Sequence, residues 1–340
     1  PSDAEAQNNL GSTFLELGRL EEAESSCMKA IDLRPNYPEA FFNLGLVLQQ
    51  SNRLEEAEKA HNQAISLRPE YAEAHYNKGI TQQTLGRSAD AEESYKRALV
   101  LQPGLVGALN NIGLIRQKAG DLNDAVHHYR QAIAINTEYS EAHNNLGTAL
   151  KEMGRLRDAE NSFRNAISLN PHYAESLNNL GVVLQELERF EEAEKIYSRA
   201  LELKPNYIDA HINKGSALQR AGKFEEATSS YANALSLDED NPKAYCYMGS
   251  SLRALGRLEE AKACYLKSIT LDPYDAETQN NLGVTLQELG EINEAKERYK
   301  EAISINPIFA EAHRYLAGIK KYNFKDDQFL KMEEICQREE

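Results

Sequence analysis

Asparagine recurs at a fixed interval of 34 residues, and its side-chain amide is the group in this sequence best suited to binding chemistry. With each interval counted from Ala4, asparagine occupies position 6 in eight of nine copies: Asn9, Asn43, Asn77, Asn111, Asn145, Asn179, Asn213 and Asn281. Tyr247 replaces it in the remaining copy. An amide offers two donors and an acceptor, so a row of amides can hold the peptide groups of an extended chain without reading its side chains. We therefore predict that this row, the asparagine ladder, binds peptide.

Positions 5 and 12 of the interval extend the predicted binding site. Further amides lie at position 5, in Asn110, Asn144 and Asn178, and at position 12, in Gln117, Gln185 and Gln219. Three aromatic side chains, Phe42, Tyr76 and Tyr247, interrupt the amides, and we expect them to add selectivity. A groove this rich in amides suits an extended, polar or low-complexity peptide.

The ladder also has a purely structural interpretation. An asparagine repeated in every copy could fix the packing of helices by bonding to a neighbouring backbone. Asparagine has a low helix propensity, so its repeated use inside helices indicates another role. Peptide binding and helix packing would each be such a role. The sequence leaves the two open.

The sequence contains no motif typical of catalysis or metal binding. It lacks G-x-S-x-G, H-E-x-x-H and the phosphate-binding G-x-x-x-x-G-K. Four of the eight histidines share position 4: His75, His143, His211 and His313. A shared position in the repeat indicates a role in helix packing and not in metal binding. The four cysteines show no C-x-x-C spacing, so neither a zinc site nor a disulfide framework is indicated, and a reducing, cytoplasmic compartment is expected. We predict no catalytic residue, metal or cofactor in this chain.

Each interval contains two amphipathic segments of about a dozen residues, which predicts a helix, a turn and a second helix. Glycine usually marks the turn, with Asn52 and Glu188 in its place twice, because a residue just past a helix often has left-handed backbone angles. Proline usually ends the second helix, and near Glu239, where it is missing, Asn241 and Pro242 supply the stop. Glycine at position 8 and alanine at positions 20 and 27 predict close helix crossings.

Residues 140–173 show the pattern most clearly. Small, aromatic and helix-ending residues occupy positions that resemble the signature of the tetratricopeptide repeat family: Asn145, Leu146, Gly147, Gly154, Ala159, Phe163, Ala166 and Pro171. The resemblance covers residues 4–309 as nine full repeats. It implies one all-α domain over residues 1–340, a right-handed α-solenoid superhelix of helix-turn-helix repeats whose first helices line a concave surface. Residues 310–340 would add a tenth first helix and a C-terminal capping helix around Phe329.

The charge balance bears on the class of partner. Lysine and arginine total 38 against 53 aspartate and glutamate, a net charge of −15, which disfavours nucleic acid and anionic membranes as ligands. No apolar run of about 18 residues occurs, so no membrane insertion is expected. We predict a protein or an extended peptide as the partner. The chain begins at Pro1 without a methionine, and we expect it to be a piece of a longer protein.

Three functions fit these observations. The first is an interaction module that binds extended peptide segments through the ladder, an arrangement similar to that in the repeat region of O-linked N-acetylglucosamine transferase. The alternative is the substrate-recognition arm of a larger transferase, because the segment after Pro307 resembles the junction that precedes sulfotransferase or glycosyltransferase domains in bacterial repeat proteins. The third is a scaffold that self-associates through its repeat ends.

Overall fold

The computed structural model describes residues 3–319, and the regular structure in this range is entirely helical, which confirms the predicted all-α class. The first helices of successive pairs are α1 (Ala4–Glu16), α3 (Pro38–Gln50), α5 (Ala72–Thr84), α7 (Val106–Lys118), α9 (Ser140–Glu152), α11 (Ala174–Glu186), α13 (Ile208–Arg220), α15 (Pro242–Ala254) and α17 (Ala276–Glu288). The second helices are α2 (Leu20–Leu33), α4 (Leu54–Leu67), α6 (Ser88–Leu101), α8 (Leu122–Ile135), α10 (Leu156–Leu169), α12 (Phe190–Leu203), α14 (Phe224–Leu237), α16 (Leu258–Leu271) and α18 (Ile292–Ile305). A last helix, α19, spans Ala310–Ile319, and the predicted capping helix around Phe329 lies outside the described residues.

The helices form tandem repeats, which we number 1 to 9 in chain order. Each first helix packs against the second helix of its own repeat, and within each compact unit the second helix packs against the next first helix. The chain divides into two compact units, with the boundary between Pro171 and His172. Repeats 1 to 5 make up the first unit, and repeats 6 to 9 with α19 belong to the second.

The helix ends follow from local chemistry. The Oδ1 atom of Asp3 accepts a hydrogen bond from the backbone N–H of Glu5 over 3.0 Å and so caps α1. The Oδ1 atom of Asn241 accepts from the N–H of Ala244 over 3.0 Å, and Pro242 occupies the first turn of α15. Asn241 and Pro242 thus start α15, whereas α14 already ends at Leu237, so these two residues do not supply the stop that the sequence predicted.

The turns within the repeats have left-handed backbone angles, as predicted. Seven of them use glycine, with φ between 71° and 83°. Asn52 and Glu188 take the same conformation at φ of 56° and 60°. Asparagine tolerates this region, whereas a glutamate there is strained by its Cβ atom.

We expect Glu188→Gly to stabilise the second unit by about 1 kcal/mol, because relief of the left-handed strain exceeds the added backbone entropy of glycine. Little else is lost, since the Glu188 carboxylate is mostly exposed and lies 3.9 Å from Arg220. Thermal unfolding followed by circular dichroism measures the change. The control is Lys195→Gly at an exposed site inside α12, which should destabilise by about 1 kcal/mol. A lower melting temperature for Glu188→Gly would show that the turn is unstrained.

Glycine at position 8 is required because a ring from the second helix packs on it. A Cβ atom added to Gly181 would lie 2.5 Å from a ring carbon of Tyr197, which is fully buried. The same arrangement joins Gly147 to Phe163 at 2.7 Å. The predicted close helix crossings are therefore confirmed, and the ring at position 24 forms the centre of repeats 2 to 9, with Cys27 in its place in repeat 1.

Ion pairs tie successive repeats together on the surface. In three places an acidic residue at position 21 pairs with a basic residue at position 16 of the next repeat over 2.7 to 2.8 Å: Glu24 with Arg53, Glu58 with Arg87, and Glu194 with Lys223. Between repeats 8 and 9 the same positions carry the opposite charges, with Lys262 at 2.6 Å from Glu291. Because the basic side chains are well exposed, solvent screens each pair and its contribution to stability is small.

Candidate functional site

The ladder asparagines lie on the first helices of the repeats and keep access to solvent. Asn9 is exposed, and the other ladder asparagines and Tyr247 are half-buried. Position 5 is buried wherever it is asparagine, in Asn8, Asn110, Asn144, Asn178 and Asn280. A ligand would therefore reach the amides of position 6 and not those of position 5.

The buried asparagines accept hydrogen bonds from the ladder of the next repeat. In three places the Nδ2 atom of a ladder asparagine donates to the Oδ1 atom at position 5 of the preceding repeat over 2.9 to 3.1 Å: Asn43 to Asn8, Asn145 to Asn110 and Asn213 to Asn178. Each bond uses one of two N–H groups and orients the ladder amide. Among the described residues, the second N–H group of Asn43, Asn145 and Asn213 has no acceptor. The ladder thus joins repeats and still presents donors.

The ladder bonds differently where position 5 of the preceding repeat is aromatic. After Phe42, Asn77 donates to a carbonyl oxygen one turn earlier in its own helix over 2.9 Å. After Tyr76, Asn111 donates to the hydroxyl of Tyr95 over 3.2 Å. Neither amide forms an asparagine pair between repeats, so these two ladder residues can be changed without breaking one.

The position-12 glutamines have a packing role that the sequence analysis missed. In five repeats the buried tyrosine at position 24 donates its hydroxyl to the glutamine Oε1 atom: Tyr95 to Gln83, Tyr129 to Gln117, Tyr197 to Gln185, Tyr231 to Gln219 and Tyr299 to Gln287. Burial raises the pKa of these hydroxyls, so they remain donors. The signal was in the sequence, since Phe163, which has no hydroxyl, occurs with Lys151 instead of glutamine. Tyr265 is an exception that bonds to Ser250 over 3.0 Å.

The three aromatic interruptions pack on rings of the repeat cores and are half-buried. The ring of Phe42 lies 5.1 Å from that of Tyr71, and the ring of Tyr247 lies 5.9 Å from that of Tyr231. Tyr76 packs 5.7 Å from the Tyr95 ring. Phe42 and Tyr76 therefore support their own repeats and Tyr247 packs on the preceding one, while part of each surface stays accessible.

The hydroxyl of Tyr76 also explains an unusual glycine. A Cβ atom at Gly107, where most repeats carry glutamate, would lie 2.5 Å from this hydroxyl oxygen. Gly107 therefore makes room for a side chain of the preceding repeat. The sequence alone shows the missing glutamate but not the tyrosine that excludes it.

One cavity lies beside the ladder in the first unit. It has a volume of about 230 Å³ and is lined by Leu114, Gln117, Lys118, Asn145, Thr148 and Glu152. Two predicted site residues, Gln117 and Asn145, are thus brought together. The Nε2 atom of Gln117 donates to Glu152 over 2.8 Å, which fixes one wall. Lys118 has no ion-pair partner among the described residues, so its charge is available at the rim.

The three cysteines within residues 3–319 show no sign of a reactive thiolate. Burial raises the pKa of the Cys27, Cys246 and Cys264 thiols to about 11, so they are protonated near neutral pH. Within residues 3–319, no three histidine, cysteine, aspartate or glutamate side chains lie close enough to hold a metal ion. None of the described helices combines the length and apolar character needed to cross a membrane.

Comparison with profiles of known protein families identifies the family of this chain. Two profiles described as tetratricopeptide repeat each match two segments, residues 2–70 with 240–307 and residues 42–106 with 144–208. Further profiles of the same repeat match residues 118–154 and 208–241. This chain is a tetratricopeptide repeat protein. Proteins built from such stacked repeats use their extended surfaces for binding.

Solved tetratricopeptide repeat structures share the fold. A tetratricopeptide repeat protein from Parabacteroides merdae is 21% identical with a TM-score of 0.56, covering 73% of this chain and 98% of that one. The pilF protein of Pseudomonas aeruginosa is 20% identical with a TM-score of 0.55, covering 63% and 97%. YrrB, described as a TPR protein with an unusual peptide-binding site, is 24% identical with a TM-score of 0.47, covering 55% and 96%. The comparison with curated proteins gives no match.

Proposed function

We propose that this tetratricopeptide repeat protein is an interaction module that binds an extended peptide segment of a partner protein along its asparagine ladder. One observation carries the proposal. The paired ladder amides are half-buried and oriented by hydrogen bonds, yet each keeps an uncommitted N–H group. Such a donor can meet a peptide carbonyl oxygen with little further loss of side-chain entropy.

The cavity beside Asn145 supports a side-chain contact within the same site. Leu114 and the methyl group of Thr148 offer apolar surface next to the ladder amide. A peptide whose carbonyl oxygen accepts from Asn145 would place a neighbouring side chain in this cavity. Lys118 at the rim favours an acidic residue next to it.

The proposal assigns no catalysis to these residues. The alternative, a substrate-recognition arm of a larger transferase, uses the same peptide contacts and depends on a segment that lies mostly outside residues 3–319. Both functions therefore require the ladder to bind peptide, and the first experiment addresses that requirement.

We expect the double variant Asn77→Ala with Asn111→Ala to lower peptide affinity about tenfold, since each change removes a neutral hydrogen bond to the ligand. Its melting temperature should fall by only a few degrees, because Asn77 bonds within its own helix and the one bond lost between repeats is the neutral bond from Asn111 to Tyr95, whose hydroxyl still donates to Gln83. The ligand is a peptide selected by the wild-type protein from a random phage-displayed library. Calorimetric titration measures its affinity.

The control for this experiment is Asn62→Ala, which changes an exposed asparagine on α4 outside the ladder and should leave affinity unchanged. A fall in melting temperature with unchanged affinity would support the packing interpretation instead. If the wild-type protein enriches no peptide from the library, the proposed function is wrong.

A further inference from the structure

A second cavity lies between α5 and α6 in repeat 3, away from the ladder. Its volume is about 360 Å³, within the range of small-molecule sites, and it is lined by His75, Lys78, Gln82, Asp90, Glu93, Ser94 and Arg97. On α5, positions 75, 78 and 82 share one face, whereas Tyr76 and Asn77 point to the other side of the helix. A ligand here would not contact the ladder.

The floor of this cavity is polar and fully bonded. Gln82 and Ser94 are both buried, and the hydroxyl of Ser94 donates to the Gln82 Oε1 atom over 2.7 Å. The Gln82 Nε2 atom donates to Glu58 over 2.9 Å, and Arg87 donates to the other oxygen of Glu58 over 2.8 Å. These bonds hold the floor in one conformation.

Polar residues occupy apolar positions of the repeat at this place. Position 7 is Leu44 in repeat 2 and Ile112 in repeat 4, but it is Lys78 in repeat 3. Position 11 is likewise Leu48 in repeat 2 and Gln82 in repeat 3. Lys214 in repeat 7 and Arg116 in repeat 4 are similar departures at positions 7 and 11, but only repeat 3 combines the two, and there both side chains line one cavity.

Charges of both signs around the cavity have no partner. Within the described residues, Lys78, Arg97, Asp90 and Glu93 take part in no ion pair or side-chain hydrogen bond. Burial and then the nearby charges of Arg97 and Lys78 lower the pKa of His75, so both cations lie toward the His75 end. Because α5 and α6 run antiparallel, Asp90 lies toward the opposite end, beside Gln82.

We propose that this cavity binds a small zwitterion of the free amino acid class. The carboxylate lies between Lys78 and Arg97, and the ammonium group lies near Asp90 and Glu93. A ligand with a single charge can pair either with the two cations or with the two carboxylates. A zwitterion can form charge-assisted hydrogen bonds with both. The site is independent of the proposed peptide contacts, because it occupies another face of α5.

The test is a titration of the full chain with L-alanine, followed by ¹H–¹⁵N TROSY NMR at the side-chain amide of Gln82. We expect saturable shifts in the millimolar range. Lys78→Leu should weaken binding about tenfold or more, since it removes one charge-assisted contact. This variant should fold, because other repeats carry leucine at the same position. The matched control is Lys214→Leu, the same position in repeat 7, which should leave the titration unchanged.

Two further probes, acetate and methylammonium, carry one charge each and should bind at least about tenfold more weakly than L-alanine. Equal affinity for acetate would identify an anion site and overturn the proposal. The absence of shifts with L-alanine at tens of millimolar, or an unchanged titration of a folded Lys78→Leu variant, would also overturn it.

Discussion

Between pH 6.5 and about 4, the wild-type first unit will lose about 3 kcal/mol of stability that a His61→Tyr variant keeps. His61 is fully buried at position 24 of repeat 2, and neither ring nitrogen has a hydrogen-bond partner. Burial lowers its pKa from 6.5 to about 4. The unfolded chain therefore binds a proton over this interval before the folded chain does. The contribution of His61 to the free energy of unfolding is constant above pH 6.5. It falls as the pH is lowered and levels off below about pH 4.

The substitution suits its site. Six repeats carry tyrosine at position 24, and Gln49 already stands at position 12 of repeat 2, where glutamine accepts from such a hydroxyl. Its Nε2 atom donates to Thr81 over 2.6 Å, which leaves the Oε1 atom free to accept. We expect a gain of about 1 kcal/mol at neutral pH from the new bond.

Chemical denaturation at a series of pH values measures the difference between wild type and variant, so that titration of other groups cancels. The control is His127→Tyr at an exposed position, which should keep the wild-type pH dependence. Parallel pH profiles for the wild type and His61→Tyr would mean that the folded chain accommodates a protonated His61.

Gly181→Leu should destabilise the second unit by about 3 kcal/mol, the upper part of the range for overpacked cores. The new Cβ atom would lie 2.5 Å from the ring of Tyr197. That ring cannot move aside easily, because it is fully buried and its hydroxyl is bonded to Gln185. Leucine has a higher helix propensity than glycine, so any destabilisation must come from packing.

Urea unfolding followed by circular dichroism measures the effect of Gly181→Leu. The control is Gly104→Leu, at an exposed turn where an added Cβ atom meets nothing within 4 Å. A midpoint for Gly181→Leu at or above that of the wild type would show that the helix crossing has room for a side chain.

The helix boundaries could be predicted because they depend on local residues. The left-handed turn at Glu188 requires only the chemistry of neighbouring atoms, and it was found where the glycine pattern placed it. Asn241 and Pro242 also act locally, but they start α15 and do not end α14. Contacts between helices could be predicted where a small residue allows a close approach, as at Gly181, on which the ring of Tyr197 packs.

The roles of the polar residues could not be predicted as well, because they depend on which groups meet across repeats. Asn145 and Asn110 are 35 residues apart, one more than the repeat length, and this offset appears only when neighbouring helices are placed side by side. Gln185 was predicted to bind peptide, and its bond to Tyr197 was missed even though the pairing of residue types was visible. The cavity at Lys78 also required the structure, since it depends on two helices.

The reversed ion pair between Lys262 and Glu291 specifies that repeat 9 packs against repeat 8 and not against another repeat. Repeats of one length can dock out of turn during folding, which is a characteristic error of repeat proteins. If repeat 9 skipped repeat 8, Glu291 would face the neutral Thr228, and if it skipped two repeats it would face Glu194, a like charge. Only the correct neighbour offers a lysine. The same logic predicts that chimeric or shortened arrays of these repeats tolerate deletion elsewhere better than at this junction.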